Sequence, residues 1–362
     1  MKPTTTLTVF AILSVLGGCA MATSPDETAA RRDPSVRQEA GLSQAEADRV
    51  MEALEALYRP EAEALGASLD LVWSEAENPG ASARQDRGRR WSIRVRRGTV
   101  GADLSRDGFT AMMCHELGHL FSGFPFRSGN GRSAEDFESL GHKAAGEGQS
   151  DYFATKDCLP RVFANSEHNA GLRVRVPESV AASCDAAWGD VHDREICQRS
   201  ALAYLDLMRF LHEESPDSGE PLSFDTPSTQ VVDRYQSAYP SHQCRVDTAL
   251  AGALCPARIP ATVIPGHVQN ESGVWDVHSP EATAHAAPYA CHGETPGARP
   301  RCWFGPTDLL PPNPDCPEVP WARCDGAQAT TCWPSGTTTV EECTSTQTCV
   351  VFGDSAFCEG TP

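Results

Sequence analysis

Hydrophobic positions recur every three to four residues along several stretches of this chain, a spacing typical of amphipathic helices. The first such stretch follows Ser43-Gln44-Ala45-Glu46, in which the serine and the glutamate can form a capping box. Proline disrupts a helix interior because it lacks an N–H donor and clashes with the preceding turn. The pattern therefore predicts a helix that begins after Ser43 and ends near Tyr58, before Pro60.

The remaining pattern predicts two short strands and four further helices. The strands lie at Leu69 to Trp73 and Trp91 to Val95, with a polar loop between them. The segment from Pro256 to Pro300 is rich in proline, glycine, alanine and histidine and is predicted to be mostly loop. The helices are predicted over Asp107 to Phe121, Gly146 to Asp157, Arg194 to Glu213 and Pro240 to Leu254. We therefore expect an α+β fold, in which residues 41–309 form a mainly helical domain with a small edge sheet.

The last part of the chain differs in composition from the rest. Residues 310–315 are rich in proline and are predicted to be a stiff linker. Residues 316–362 are rich in threonine and cysteine but have few large apolar side chains, so they can bury little core. Apart from Cys19, the 15 cysteines divide into eight before this linker and six after it. Because both numbers are even, each part can close its own bridges, and residues 316–362 are predicted to be a small disulfide-stapled domain.

The N-terminus has the pattern of an export signal. Residues 1–18 begin with a weakly basic segment and continue with an apolar run that is too short to span a bilayer. The run ends in Leu16-Gly17-Gly18-Cys19, which resembles the bacterial lipobox and implies lipidation of Cys19. The alternative is an ordinary signal peptide cut near Ala20 or Ala22. Residues 19–40 are predicted to be a polar tether.

The expected location follows from this signal. A lipidated Cys19 implies a protein anchored to a membrane of the bacterial cell envelope, at the outer membrane or the periplasmic face. An ordinary signal peptide instead implies a secreted protein. Either location is oxidising enough for disulfides. The formal net charge is −19, from 30 basic and 49 acidic residues, which argues against a nucleic-acid partner.

One five-residue motif points to metal chemistry. His115-Glu116-Leu117-Gly118-His119 has the spacing HExxH, and residues four apart share a face of a helix. Both imidazoles can therefore bind one Zn²⁺, while Glu116 can accept a proton from a zinc-bound water. The flanking residues are apolar, so we expect the helix to be buried and its ionisable groups to need a partner such as a metal.

A catalytic zinc usually has three protein ligands and an open position for water. The metzincin pattern HExxHxxGxxH is excluded because Ser122 and Pro125 stand where its glycine and third histidine would be. We expect Glu147 to be the third ligand and Asp151, four residues later, to accept the outer N–H of a ligand histidine. The competing third ligands are Glu135, Glu138 and His142.

HExxH followed by ExxxD on a later helix resembles the gluzincin metallopeptidases. The segment from Asp107 to His119 is similar to the active-site helix of the HtpX-like and CAAX-protease-like group, and Trp91 to Val95 resembles the edge strand that precedes it. The resemblance covers residues 43–255 and implies a zincin-like fold. It also implies that Arg245 contacts the active-site network. Tyr239 stands at the position where the HtpX-like and CAAX-protease-like group has a histidine. We expect Arg245 and Tyr239 to stabilise the oxyanion, with His242 as an alternative donor.

Together these observations predict a zinc-dependent endopeptidase that holds one Zn²⁺ per chain and acts on a protein or peptide substrate. One alternative is a non-catalytic zinc-containing surface lipoprotein whose cysteine-rich tail binds a cell-envelope partner. Another is a zinc hydrolase that does not act on peptides. Cys114 precedes the first ligand and is expected to form a disulfide that anchors the helix, with Cys158 as the candidate partner.

Overall fold

The structure, a computed structural model, describes residues 41–127, 140–141, 143–164, 175–217, 219–233, 235–236, 239–269, 280–293 and 295–305, together with Cys343 and the backbone of five strands between residues 321 and 360. The signal sequence, the tether with Cys19 and the linker at 310–315 lie outside the described residues. So do the three competing third ligands, Glu135, Glu138 and His142. Among the described residues, no helix combines the length and the apolar composition that a membrane span requires.

The chain is mixed α+β, as expected, and helices predominate. They are α1 (Gln44–Ala64), α2 (Arg106–Phe121), α3 (Glu147–Phe153), α4 (Leu159–Phe163), α5 (Glu178–Ala187), α6 (Val191–Glu214), α7 (His242–Leu254) and α8 (Pro280–Ala286). A π-helical turn at Ala154–Cys158 joins α3 to α4. Short 3₁₀ turns lie at Arg97–Thr99 and Ala287–Tyr289. The segment from Pro256 to Pro300 was expected to be mostly loop, and its described residues are so apart from α8 and the 3₁₀ turn that follows it.

Helix α1 confirms the capping box and corrects the expected end. The side chains of Ser43 and Glu46 each bond to the other residue's backbone N–H. The helix nevertheless continues past Pro60 to Ala64. Because Pro60 has no N–H, the carbonyl of Ala56 has no hydrogen-bond partner within the helix. Both residues lie on the exposed face, where water can hydrate this carbonyl. Ala62 beyond the proline is fully buried, so core packing holds the last turn in place.

A three-stranded sheet of order β1-β3-β2 packs beside the helices. Its strands are β1 (Ser68–Ser74), β2 (Ala81–Asp86) and β3 (Arg90–Arg96), with β1 parallel and β2 antiparallel to β3. Trp91 to Val95 was expected to be an edge strand but is the central one. The polar segment Ala81–Asp86, expected to be a loop, is the edge strand that contacts α2. Pairing to β3 stabilises it without an alternating apolar pattern.

The core is built around α2. Every residue from Gly108 to Phe121 is buried, because α2 contacts the sheet, α1, α3 and α6. A helix buried on all sides has no single apolar stripe, which matches the continuous apolar sequence around the motif. Trp91 and Tyr58 pack their rings against Phe121. A smaller cluster joins α5, α6 and α7 through Val180, Cys184, Cys197, Ala201, Ala253 and Leu254.

Disulfides link the helices to one another. The eight cysteines between residues 114 and 302 pair among themselves, as Cys114–Cys158, Cys184–Cys197, Cys244–Cys302 and Cys255–Cys291. This confirms that the part of the chain before the linker closes its own bridges. It also confirms Cys158 as the partner of Cys114, so a covalent bond joins α2 to the π-helical turn after α3.

The cysteine-rich segment contains short antiparallel strands. β4 (Trp321–Asp325), β5 (Gln328–Cys332) and β6 (Thr338–Glu342) form one sheet, and β7 (Gln347–Phe352) and β8 (Ser355–Gly360) form a two-stranded sheet. Cys349 lies opposite Cys358 in the β7–β8 register. Cys343 is disulfide-bonded and buried.

Candidate metal centre

Three buried donor atoms from α2 and α3 converge at one point. Nε2 of His115 lies 3.2 Å from Oε2 of Glu147, and Nε2 of His119 lies 3.7 Å from the same oxygen. His115, His119 and Glu147 form a group that could hold a metal ion, with ligand atoms that all lie within 4.8 Å of one another. The structure therefore brings together the three ligands expected from the sequence.

Glu147 carries the observation that best fits a metal. Its side chain is 1% exposed, and its Oε2 has no hydrogen-bond partner, although a buried carboxylate oxygen normally has one. Its other oxygen, Oε1, accepts a hydrogen bond from the half-exposed Arg127 guanidinium. One oxygen is thus satisfied by the protein, while the other points at two imidazole nitrogens and is left for a cation.

His119 is held as a neutral imidazole with its Nε2 facing Glu147. Its Nδ1 lies 2.9 Å from the carbonyl oxygen of Ala145 and 2.8 Å from Oγ of Ser150. Because a carbonyl oxygen only accepts hydrogen bonds, Nδ1 carries the proton and the lone pair remains on Nε2. Burial and the neighbouring His115 lower the pKa of His119 well below its usual value, which keeps the ring neutral.

His115 is oriented by Asp151, as the sequence predicts. Its Nδ1 lies 2.6 Å from Oδ1 of Asp151, on the side of the ring opposite the Nε2 that faces Glu147. Glu147 and Asp151 lie one turn apart on α3, so a single short helix supplies both a candidate ligand and the carboxylate that contacts His115.

Asp151 is the centre of a fully buried polar network. Arg245 from α7 binds it through two hydrogen bonds, Nε to Oδ2 at 2.9 Å and NH2 to Oδ1 at 2.8 Å. The hydroxyl of Tyr204 from α6 also donates to Oδ1. Burial would raise the pKa of Asp151, but the charge of Arg245 and the contact with His115 outweigh it and hold the pKa well below its usual range. Burial raises the pKa of Tyr204, which therefore remains a donor.

Arg245 and Tyr239 are not placed as expected for oxyanion donors. The Arg245 guanidinium is 4% exposed, is bound to Asp151 and lies near Nδ1 of His115, behind the ligand. The resemblance implied that Arg245 contacts this network, and Arg245 does contact Asp151 and His115, on the side of His115 away from Glu147. Tyr239 is 66% exposed and has its ring 5.7 Å from that guanidinium carbon. His242 faces a different cluster, formed with His212 and Asp217.

Glu116 joins the helix to the edge strand. Its carboxylate is 8% exposed, and its Oε2 accepts a hydrogen bond of 2.6 Å from the backbone N–H of Ala83 in β2. Ala83 is paired across from Ile93 in the antiparallel register, and this N–H points to the outer side of the strand. Glu116 therefore lies between α2 and β2, the outer strand of the described sheet.

A glycine allows the two ligand helices to approach closely. A Cβ at Gly118 would lie 2.7 Å from the Cα of Ser150, closer than real Cβ contacts come. Gly118 of α2 thus packs directly on Ser150 of α3, and this contact brings Ser150 Oγ to Nδ1 of His119. Nothing in the sequence of the motif indicates this packing role of Gly118.

Four residues of the site were missed from the sequence: Arg127, Ser150, Gly118 and Tyr204. Tyr204 offered the best signal, because it falls on the apolar face of the helix predicted over Arg194 to Glu213, and a buried tyrosine hydroxyl needs a partner. Arg127 and Ser150 offered none, since their partners depend on how α2 and α3 pack.

Comparison of the chain with family models, with curated proteins and with solved structures found no match.

Proposed function

We propose that this protein is a zinc-dependent endopeptidase of the gluzincin type, with a zincin-like fold over residues 41–309. The observation that carries the proposal is the unpartnered Oε2 of Glu147, buried within 3.7 Å of both motif histidines. The order HExxH then ExxxD, with a buried helix beside an antiparallel edge strand, supports the resemblance to the HtpX-like and CAAX-protease-like group.

The donor set favours zinc. Two imidazoles and one carboxylate form the three-ligand arrangement that leaves an open position in catalytic zinc sites. Magnesium and calcium prefer all-oxygen ligands, so two nitrogen donors argue against both. When bound, zinc would lower the pKa of a coordinated water and polarise the carbonyl of the scissile bond.

The chain's own residues supply the remaining steps. Glu116 accepts the proton of the attacking water and passes it to the leaving amine. Asp151 keeps the proton of His115 on Nδ1 and so fixes the direction of its Nε2 lone pair, while Ala145 and Ser150 do the same for His119. Arg245 and Tyr204 keep Asp151 ionised and in place. The protein substrate is proposed to reach Glu116 along the edge of β2.

The proposed location is the bacterial cell envelope, with a lipid on Cys19 as the anchor and a secreted form as the alternative. The four disulfides among the described residues support an oxidising compartment.

The test combines metal content with hydrolysis. The oxidised wild-type chain and its Glu147→Ala variant are analysed for bound zinc and assayed on an unstructured protein substrate, with and without a chelator. The proposal expects the variant to hold one zinc fewer and to lose hydrolysis, and expects the chelator to abolish wild-type hydrolysis reversibly. Equal zinc in both chains would remove Glu147 from the site.

A wild-type chain that binds zinc but cleaves no peptide, ester or glycan substrate would overturn the enzymatic proposal. The non-catalytic lipoprotein, with the cysteine-rich segment binding a cell-envelope partner, would then be favoured.

A further inference from the structure

We propose a second metal site, separate from the first, formed by His212, Asp217 and His242. His212 lies in the last turn of α6, Asp217 in the loop that follows, and His242 is the first residue of α7. These three side chains offer ligand atoms that converge, and none of them belongs to the centre formed by α2 and α3. The sequence predicts one zinc per chain and offers His242 only as an alternative oxyanion donor, not as a metal ligand.

The distances within the cluster match those of a tetrahedral site. Nδ1 of His212 lies 3.4 Å from Oδ1 of Asp217, and Nδ1 of His242 lies 3.3 Å from the same oxygen. The two Nδ1 atoms are 3.3 Å apart. Zinc binds nitrogen and oxygen at about 2.0–2.1 Å, which places the ligand atoms of a tetrahedral site about 3.3–3.4 Å from one another. The cluster therefore forms one face of such a tetrahedron.

Hydrogen bonding alone accounts poorly for this arrangement. Each neutral imidazole has a single N–H, and a hydrogen bond is favourable only when that N–H points at its acceptor. Oδ1 of Asp217 can accept from both rings, but two N–H groups then lie 3.3 Å apart. If only one ring donates to Oδ1, the lone pair of the other Nδ1 faces this oxygen. A cation placed at equal distance from the three atoms uses one lone pair from each of them. The rings of His212 and His242 are perpendicular to each other, with centroids 5.4 Å apart.

The chemistry of the donors selects the class of ion. Two imidazole nitrogens and one carboxylate suit a divalent transition metal such as zinc, cobalt, nickel or copper. The side chains of His212, His242 and Asp217 are 18%, 15% and 32% exposed, so the cluster lies nearer the surface than the first centre. Water can therefore take the remaining coordination position.

The second site would stiffen the helix that supports the first. The other oxygen of Asp217, Oδ2, accepts a hydrogen bond of 2.6 Å from the backbone N–H of His242. The same carboxylate thus contacts both imidazoles and the first turn of α7. Arg245, which binds Asp151, lies three residues farther along α7. An ion at this site would tie the end of α6 to the start of α7 and restrain Arg245 against Asp151.

The experiment counts bound metal and reads its coordination, without any activity assay. Apo full-length chain is titrated with Co²⁺, whose visible absorption distinguishes four-coordinate from octahedral ions, in three backgrounds: wild type, His115→Gln/His119→Gln, and Asp217→Asn. Asparagine keeps an acceptor for the N–H of His242, so α7 can still begin at that residue. His192→Gln, an exposed position on α6, is the matched control.

The proposal expects two cobalt ions in the wild type and the control, and one in each of the other two chains. His115→Gln/His119→Gln combined with Asp217→Asn is expected to bind none. The proposal is overturned if a folded Asp217→Asn chain binds as many ions as the wild type. It is also overturned if a folded His115→Gln/His119→Gln chain binds none, a result that would leave the first centre unaffected.

Discussion

The backbone N–H of Ala83 donates a hydrogen bond of 2.6 Å to Oε2 of Glu116. The contact joins the outer strand of the sheet to the helix that carries both histidine ligands. It holds Glu116 between α2 and the sheet. Glu116 therefore differs from His115, His119 and Glu147, the three residues that could hold a metal ion.

Replacement of Glu116 by glutamine is expected to abolish hydrolysis while the metal is kept. The amide oxygen can still accept the hydrogen bond from Ala83, but it cannot take a proton from water. Removal of a general base lowers the rate by about 10²- to 10⁴-fold. Zinc content and turnover are measured beside Glu52→Gln, an exposed position on α1. Hydrolysis by Glu116→Gln at a rate comparable to the wild type would sink the assignment.

Replacement of Tyr204 by phenylalanine is expected to weaken metal binding specifically. The change removes the hydroxyl that donates to Asp151 and leaves the ring in the core. Loss of a group that supports a ligand commonly costs about 10- to 100-fold in metal affinity. Tyr152→Phe is the matched control, because its buried hydroxyl donates to the carbonyl of Gly297 instead.

Both tyrosine variants are expected to lose about 1–3 kcal/mol of unfolding free energy, because each hydroxyl donates one buried hydrogen bond and accepts another, from Arg245 at Tyr204 and from the N–H of Cys291 at Tyr152. Only Tyr204→Phe should change the zinc dissociation constant in a competition titration. Equal zinc affinity in the two variants would show that Tyr204 contributes packing alone.

Replacement of Gly118 by alanine is expected to push α2 away from α3. The added Cβ would meet the backbone of Ser150 at 2.7 Å, which neither helix can relieve without moving. Overpacking of this kind costs about 1–3 kcal/mol, and the same shift separates His119 from Glu147. Gly189→Ala, where a Cβ meets nothing within 4 Å, serves as the control. Zinc affinity and urea unfolding are compared, and wild-type values for Gly118→Ala would contradict the close contact.

Removal of the Cys114–Cys158 bridge is expected to affect both stability and the metal centre. The pair encloses 44 residues, and the loop-closure argument gives about 4 kcal/mol. Cys114 precedes a ligand directly, so Cys114→Ala/Cys158→Ala should also weaken zinc binding.

Cys184→Ala/Cys197→Ala provides the comparison for that bridge. The Cys184–Cys197 bridge joins α5 to α6 across a sequence separation of 13. For this shorter loop the same argument gives about 3 kcal/mol. Unfolding free energy should fall in both double variants, but zinc affinity should fall only in the first. An unchanged zinc affinity in both would mean that the bridge does not position the ligands.

His267 is expected to make stability depend on pH in the acid range. Burial, reinforced by the positive charges of Arg89 and His285, lowers the pKa of His267 to about 4. An unfolded histidine titrates near 6.5, so the unfolded chain binds the additional proton between these values. The contribution of His267 is therefore fully present above about pH 6.5 and is lost as the pH falls towards 4.

The measurement is urea unfolding at several pH values between 4 and 7. The wild type should lose more stability per pH unit than His267→Gln, by at most about 1.4 kcal/mol per pH unit, the value for one proton. His192→Gln, with an exposed imidazole, should follow the wild type. Parallel curves for the wild type and His267→Gln would show that His267 is protonated equally in both states.

Much of the site followed from local sequence. The spacing of His115 and His119 fixes both on one helical face, and Glu147 and Asp151 repeat the same spacing on a second helix. The unbroken apolar run around the motif indicated a helix buried on all sides, which α2 is. Each of these features depends on one helix, so the residue pattern of that helix is enough to predict it.

The features that were missed depend on packing between distant elements. Ala81–Asp86 has no alternating pattern, and it is a strand because β3 offers it a partner. Tyr204 lies on a different helix from Asp151, and nothing in its spacing shows that the two meet, whereas the contact of Arg245 was expected only from the family resemblance. His212, Asp217 and His242 are separated by intervals with no ligand motif, and they converge only because α6 and α7 pack side by side.

The contact between Gly118 and Ser150 limits how this site can vary between related chains. HExxH is usually written with two free positions, yet here the second of them determines how far apart two helices lie. A relative with a larger residue at position 118 would need a compensating change at position 150, or a longer path between α2 and α3. Substitutions at positions 118 and 150 should therefore occur together. This pair should distinguish related chains more sharply than HExxH alone.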